Sequence, residues 1–308
     1  MGSARIWILQ RYVKISRSAL SFLVAAGIGL ASGGLCWIYL RHFHLGAGDF
    51  NWSYRAAHDV LAGTDPYAHT LPRAVPYPLT AALPAFPLLL FSPETAGALF
   101  FGISSGLLAF GLVRDNPTRL LIFLAYPYWA ALMTTQWTPL LMCAAFFPLA
   151  FAFTIIKPQI GTPLALTNLS WNGVAAASVL FLVSLLLLPR WPLAWIRQLG
   201  GYSYFVPLLV LPGPLLILSL WRYRERDAWL LLLAAIMPQR WFYDLFVLWL
   251  IPKSRRTILA TVACSWGIGL WRWFHTPHTV QQVGLWSLLG AYLPMLAVLL
   301  VRRRDQPS

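Results

Sequence analysis

From Ala19 to Leu40 the chain carries no charged residue, and about 20 apolar residues in a helix are what a hydrocarbon core of about 30 Å requires. Comparable apolar runs recur at 95–113, 119–134, 137–156, 172–189, 205–221, 257–274 and 283–301. With 59% of its 308 residues hydrophobic and 10% charged, the chain carries more apolar surface than soluble packing can hide. The expectation is an all-α polytopic membrane protein, a helix bundle of about 8–10 transmembrane segments. A secreted domain, a β-barrel and a soluble enzyme with one anchor are excluded. Cys36, Cys143 and Cys264 fall inside apolar runs without metal or redox spacing, and read as small buried hydrophobes.

Lys and Arg number 23 against 9 Asp and Glu, a formal charge of +14. In a soluble protein that balance points to nucleic acid. Here the basic residues sit in short loops, where they set topology, so no nucleic-acid partner is expected. The tail with Arg5, Arg11, Lys14 and Arg17 precedes an apolar stretch too long for a signal peptide and lacking an Ala-x-Ala site, so it reads as cytoplasmic, followed by a retained first span. Threading the runs alternately places fifteen of the 23 basic residues in the cytoplasm and seven outside, leaving Lys157 undecided. This gives one membrane domain in the plasma (inner) membrane: a basic tail (1–18), an outer loop (41–94), a bundle (95–301) and a second tail (302–308).

Two segments do not fit as plain spans. Leu79 to Phe91 is short and contains Pro84 and Pro87, and is expected to be an interfacial or re-entrant helix on the outer side. Ala228 to Ile251 has basic clusters at both ends and a break at Pro238-Gln-Arg-Trp-Phe-Tyr-Asp244. A helical hairpin with Arg240 and Asp244 at its tip satisfies both clusters; a single Pro-kinked helix with an Arg240–Asp244 pair at i, i+4 is the alternative. Broken backbone at membrane depth is tolerated where it is buried in protein or lines a wet cavity, so the hairpin points to a site.

In the outer loop, Trp52, Ala56 and Val60 recur every four residues, with Arg55, His58 and Asp59 elsewhere on the wheel. That spacing predicts an amphipathic surface helix ending at Gly63, with Arg55 and Asp59 paired at i, i+4. Asp49 is the acidic residue of the Gly46–Phe50 turn, whose glycines let a substrate approach the backbone; by itself it suits a cap for a helix starting near Asn51. Lys157 reads equally as a snorkelling cation or a phosphate partner. The histidines (42, 44, 58, 69, 275, 278) show no two-His-plus-carboxylate spacing, so no metal or other cofactor is expected.

The order Asp49-Phe50, Tyr54 to Ala57, Gly63-Thr-Asp-Pro-Tyr67, Tyr77-Pro-Leu79, then Thr135-Gln136, Lys157-Pro158 and Pro238-Gln-Arg-Trp241 with Asp244 resembles the GT-C glycosyltransferase superfamily. Within it, the order is similar to the polyprenyl-phosphate-mannose-dependent α-mannosyltransferases. The resemblance implies a GT-C-like bundle that transfers a hexose, mannose first, from a polyprenyl-phosphate donor to a lipid or glycan acceptor on the extracytoplasmic side. It implies inversion with Asp49 as general base, a donor phosphate held by Arg240, Lys157 and Gln136, and an acceptor or loop-shaping role for Tyr54, His58, Tyr67, Tyr77, Trp241 and Asp244. Membrane lipids are the surrounding partner. A transporter or flippase of a lipid-linked or anionic substrate also suits broken helices and buried cations, and an inactive member of the fold is the third reading.

Overall fold

The structure, a computed structural model, describes residues 2–68, 76–201, 203–275 and 279–302, with the side chains of 2–17 and Gly201 excepted. His69, Arg73, His278, Arg303 and Arg304 lie outside the described residues, as do the side chains of the N-terminal cations. Among the described residues helix is the regular structure and there is no strand; a single bridge joins Phe205 and Gln239.

The longest helix, α1 (Gly2–His42), leads through a turn into α2 (Asn51–Leu61). The α2 helix buries Trp52, Tyr54, Ala56 and Ala57, close to the face its sequence spacing predicts. The Pro-rich segment after the loop forms two 3₁₀ stretches, Leu79–Ala81 and Leu83–Leu88, and α3 (Pro93–Asp115) follows. Helices α1 and α3 pack at backbone contact. A Cβ placed on Gly102 would lie 2.8 Å from the Gly29 carbonyl oxygen and 3.1 Å from Gly33 Cα. Gly29-x-x-x-Gly33 thus faces Gly102-x-x-x-Gly106, small-residue stripes that let two helices approach where no hydrophobic force drives them together. Ser32, Tyr128 and Ser105 add a hydrogen-bonded polar cluster, with Ser32 Oγ and the Tyr128 hydroxyl 2.6 Å apart.

Beyond α3 the expected continuous spans give way to shorter pieces. Residues 119–134 divide into a 3₁₀ stretch (Pro117–Leu124) and α4 (Tyr126–Thr134); residues 137–156 divide into α5 (Thr138–Met142) and 3₁₀ turns up to Ile156; residues 205–221 are 3₁₀ turns. The cause is proline. Pro117, Pro127, Pro139 and Pro148 each sit in the first turn of a new piece, where their fixed φ and missing N–H start a helix and prevent continuation of the one before. Then come α6 (Pro158–Thr167), α7 (Trp171–Leu187) and α8 (Trp191–Arg197), the last two meeting at a 91° bend.

Helix α9 (Arg226–Ile236) ends at the Pro238 break, and a 3₁₀ helix (Phe242–Leu250) returns beside it. Arg302 bonds both ends of this unit: Glu225 at 2.9 Å and Asp227 at 2.7 Å before and within the first turn of α9, and the Ile251 carbonyl at 2.7 Å on the return. The chain therefore doubles back, and the hairpin reading replaces the single kinked helix. Finally α10 (Arg255–Phe274) precedes α11 (Val280–Ser287), which runs through a π-helical turn at Leu288–Tyr292 into α12 (Leu293–Val301). The π turn aims the Tyr292 hydroxyl at the Ala234 carbonyl, 3.0 Å away, steadying the end of α9 before its break.

Among the described residues three helices are long and apolar enough to cross a membrane, Ser18–His42, Pro93–Asp115 and Val280–Val301, or four if the bent α7–α8 pair counts as one. Apolar side chains as large as Leu30, Trp171 and Leu186 are exposed on the surface, which suits lipid contact and would be costly in water. Cys36 and Cys143 are buried as expected, whereas Cys264 is exposed on α10, where an apolar outward face is compatible with lipid.

Candidate functional site

Segments far apart in sequence converge on one cavity of about 710 Å³. The turn between α1 and α2 brings Asp49; the end of the 3₁₀ run before α6 brings Lys157; the break after α9 brings Arg240 and Trp241; and the start of the return segment brings Tyr243 and Asp244. Tyr77 and Pro78 close another wall.

Asp49 sits in a tight turn whose glycines serve the protein itself. Gly48 has φ +60, and a Cβ there would meet Thr135 Oγ1 at 2.8 Å and the Thr134 carbonyl oxygen at 2.9 Å. The expected opening for a substrate at this glycine is filled by the end of α4. Thr135 is itself left-handed, φ 54, a conformation that costs a β-branched residue energy and turns the chain sharply, so that Gln136 points back toward the Asp49 turn. The residues that follow each of these, Phe50 and Trp137, pack with ring centroids 5.5 Å apart and lock the two turns together.

Gln136 Nε2 donates to Asp49 Oδ2, and the Tyr243 hydroxyl donates to the same oxygen at 3.3 Å. Asp49 does not cap α2: the first turn of that helix has no side-chain cap, and it is Asn51 that knits the turn, accepting from the Ala47 N–H at 2.9 Å. With both donors on Oδ2, no hydrogen bond among the described residues reaches Oδ1 of a carboxylate that lines the cavity.

On its other side Gln136 Oε1 accepts from Lys157 Nζ at 2.9 Å, and Lys157 Nζ also donates to Asp244 Oδ1 at 2.6 Å. Lys157 is 4% exposed, Asp244 1% and Gln136 not at all. The result is a buried ladder, Asp49–Gln136–Lys157–Asp244, with the Lys157 ammonium 5.0 Å from the Tyr243 ring centre. The snorkelling reading of Lys157 fails because the ammonium points inward. In the alternative reading Asp244 paired with Arg240; among the described residues its close ion pair is with Lys157, and the Arg240 charge acts on it without such a contact.

The remaining sequence candidates separate by position. Tyr77, Arg240, Trp241 and Asp244 line the cavity. Gln136 does not: it is fully buried with both ends of its amide engaged, and cannot touch a donor directly. Tyr67 stands behind the wall, its hydroxyl donating to the Tyr77 carbonyl at 2.9 Å, and burial together with the nearby Asp65 charge raises its ionisation above the ordinary tyrosine value. Tyr54 ties α2 to the Phe91 carbonyl at 2.8 Å, away from the cavity. His58 is exposed, edge-on to Tyr54 with centroids 5.2 Å apart, and is not in the lining.

Several cavity residues escaped the sequence reading. Tyr243 is adjacent to Asp244, and its position in the break was signal enough. Arg55 faces the cavity mouth and makes no ion pair with Asp59 among the described residues. Trp195 and Tyr204 come from segments with no local signature; Trp195 Nε1 bonds the Pro76 carbonyl at 2.9 Å and so draws α8 against the loop. Among the described residues no group of three or more His, Cys, Asp and Glu side chains is arranged to hold a metal ion. No protein-family model matches the chain, and neither does any curated protein or solved structure compared with it.

Proposed function

We propose that the chain is an integral-membrane glycosyltransferase that moves a hexose, mannose first, from a polyprenyl-phosphate donor to a lipid or glycan acceptor at the extracytoplasmic face of the plasma (inner) membrane. The observation that carries this reading is the half-engaged carboxylate: among the described residues Asp49 has two donors on Oδ2 and none on Oδ1, in a cavity that the Arg240 side chain also lines. Such a carboxylate is placed to take a proton, and such a cation to hold a departing phosphate.

The step is an inverting displacement. The acceptor hydroxyl gives its proton to Asp49 Oδ1 while its oxygen bonds to the anomeric carbon. The bond from that carbon to the phosphate oxygen breaks, and its electron pair leaves on the phosphate, facing Arg240. The aromatic walls, Tyr77, Trp195 and Trp241 among them, offer the flat apolar faces against which a hexose ring packs, and the exposed apolar surface of the bundle suits a prenyl chain.

The purified chain in lipid nanodiscs, given labelled polyprenyl-phosphate mannose and a membrane lipid extract, is expected to release polyprenyl phosphate and form a labelled product of inverted anomeric configuration. Absence of transfer from any lipid-linked hexose, with translocation of the labelled lipid across proteoliposomes, would overturn the enzyme reading in favour of a transporter.

A further inference from the structure

We infer that Lys157 is a positioning residue that acts on Asp49 through Gln136, fixing which carboxylate oxygen faces the cavity, and that it is not a ligand of the donor phosphate; this rests on Asp49 being the base proposed above. The argument begins with the amide. A glutamine side chain has one acceptor end and one donor end. Lys157 Nζ donates to Oε1 at 2.9 Å, so Nε2 is the end turned to Asp49, where it donates to Oδ2.

Without the ammonium, Oε1 is left buried with no donor while the Asp49 carboxylate still takes Nε2, so the amide is held at one end only. It then shifts toward whatever donor it finds, and Asp49 Oδ2 loses its fixed partner. Tyr243 alone, at 3.3 Å, would be left to hold it. Asp244 completes the device from the other side: at 2.6 Å and 1% exposed it pins the ammonium against Gln136. Two of the three N–H groups of Lys157 are thereby engaged within the protein, and the ring of Tyr243 covers part of what remains. Arg240, on the less buried rim of the cavity, is the cation sited for an arriving phosphate.

The test must survive the misfolding expected of a lone buried carboxylate, so the pair is replaced together as Lys157→Met with Asp244→Leu. Full-length protein in nanodiscs is compared as wild type, Gln136→Leu and the paired replacement. Both variants are expected to lose roughly 10- to 100-fold in kcat, the scale of a displaced catalytic group, with the KM for polyprenyl-phosphate mannose within about twofold. A large rise in that KM with kcat retained would overturn the inference and return Lys157 to the phosphate.

A second measurement does not depend on turnover. Melting temperatures of Asp49→Asn, the paired replacement and their combination form a cycle whose effects are expected to be non-additive in the native background and additive once Gln136 is Leu. Additivity in both backgrounds would overturn the inference even if transfer is never detected; loss of transfer in the wild type with the coupling intact would instead count against the proposed reaction alone.

Discussion

Lys157 Nζ and Asp244 Oδ1 lie 2.6 Å apart with both side chains almost wholly out of solvent, joining residues 87 positions apart in the chain. A buried pair of this kind is a poor source of net stability, yet breaking it is expensive because one charge is left without a partner. Lys157→Met alone is expected to destabilise the protein by about 3–5 kcal/mol, and Asp244→Leu added to it is expected to recover most of the loss. Melting temperatures of the single and double variants in detergent check this; a single variant as stable as wild type would show that the pair is dispensable.

The glycine stripes of α1 and α3 make a separate prediction. At Gly102 a Cβ would come within 2.8 Å of the Gly29 carbonyl oxygen, and backbone cannot move aside as a side-chain tip can. Gly102→Leu is expected to force the helices apart at a cost of about 1–3 kcal/mol or more. Gly27→Leu, where nothing lies within 4 Å of the added atom, is expected to be close to neutral. The two melting curves compare a buried and an open glycine within one membrane bundle.

The orientation proposed from charge is open to labelling. With the native cysteines removed, a cysteine at Ala68, which is exposed, is expected to react with an impermeant thiol reagent added outside the cell. A cysteine at Lys253, 41% exposed and paired with Asp227, is expected to react only after the membrane is opened. Gln239 is unsuitable as a reporter of the hairpin tip because its side chain is 3% exposed. Labelling of Lys253→Cys in intact cells would reverse the topology.

Arg240→Gln is expected to raise the apparent KM for the lipid-phosphate donor at least tenfold while moving the melting temperature little, since the ion pair of Asp244 is with Lys157. Steady-state kinetics over a range of donor concentrations, alongside a melt, measure both. A stability loss as large as that of Lys157→Met, with normal KM, would assign Arg240 a structural role.

These residues also show what the chain discloses before it folds. Trp52, Ala56 and Val60 at four-residue spacing mark α2, and Pro238 inside an apolar run marks the break that delivers Arg240 and Trp241, because both signals are local. The glycines stand as Gly-x-x-x-Gly in each helix, but nothing in the sequence singled them out, because which two stripes meet is settled by packing. The pairing of Lys157 with Asp244 was not legible, since it depends on how prolines divide 117–156 into short pieces and where those pieces stack. Arg55 misled for the opposite reason: an i, i+4 neighbour of opposite sign offered a sufficient local explanation, while the cavity that gives it another setting is assembled from distant segments.

The proposed chemistry turns on Asp49, and one substitution isolates it. Asn keeps the size of the side chain and an oxygen for the Gln136 and Tyr243 donors but removes the capacity to take a proton. Initial rates of labelled-hexose transfer from polyprenyl-phosphate mannose by Asp49→Asn and wild-type protein, with donor KM measured in both, are the direct comparison. The account predicts a fall in turnover of at least about 100-fold with donor KM nearly unchanged; wild-type turnover by the Asn variant would contradict it.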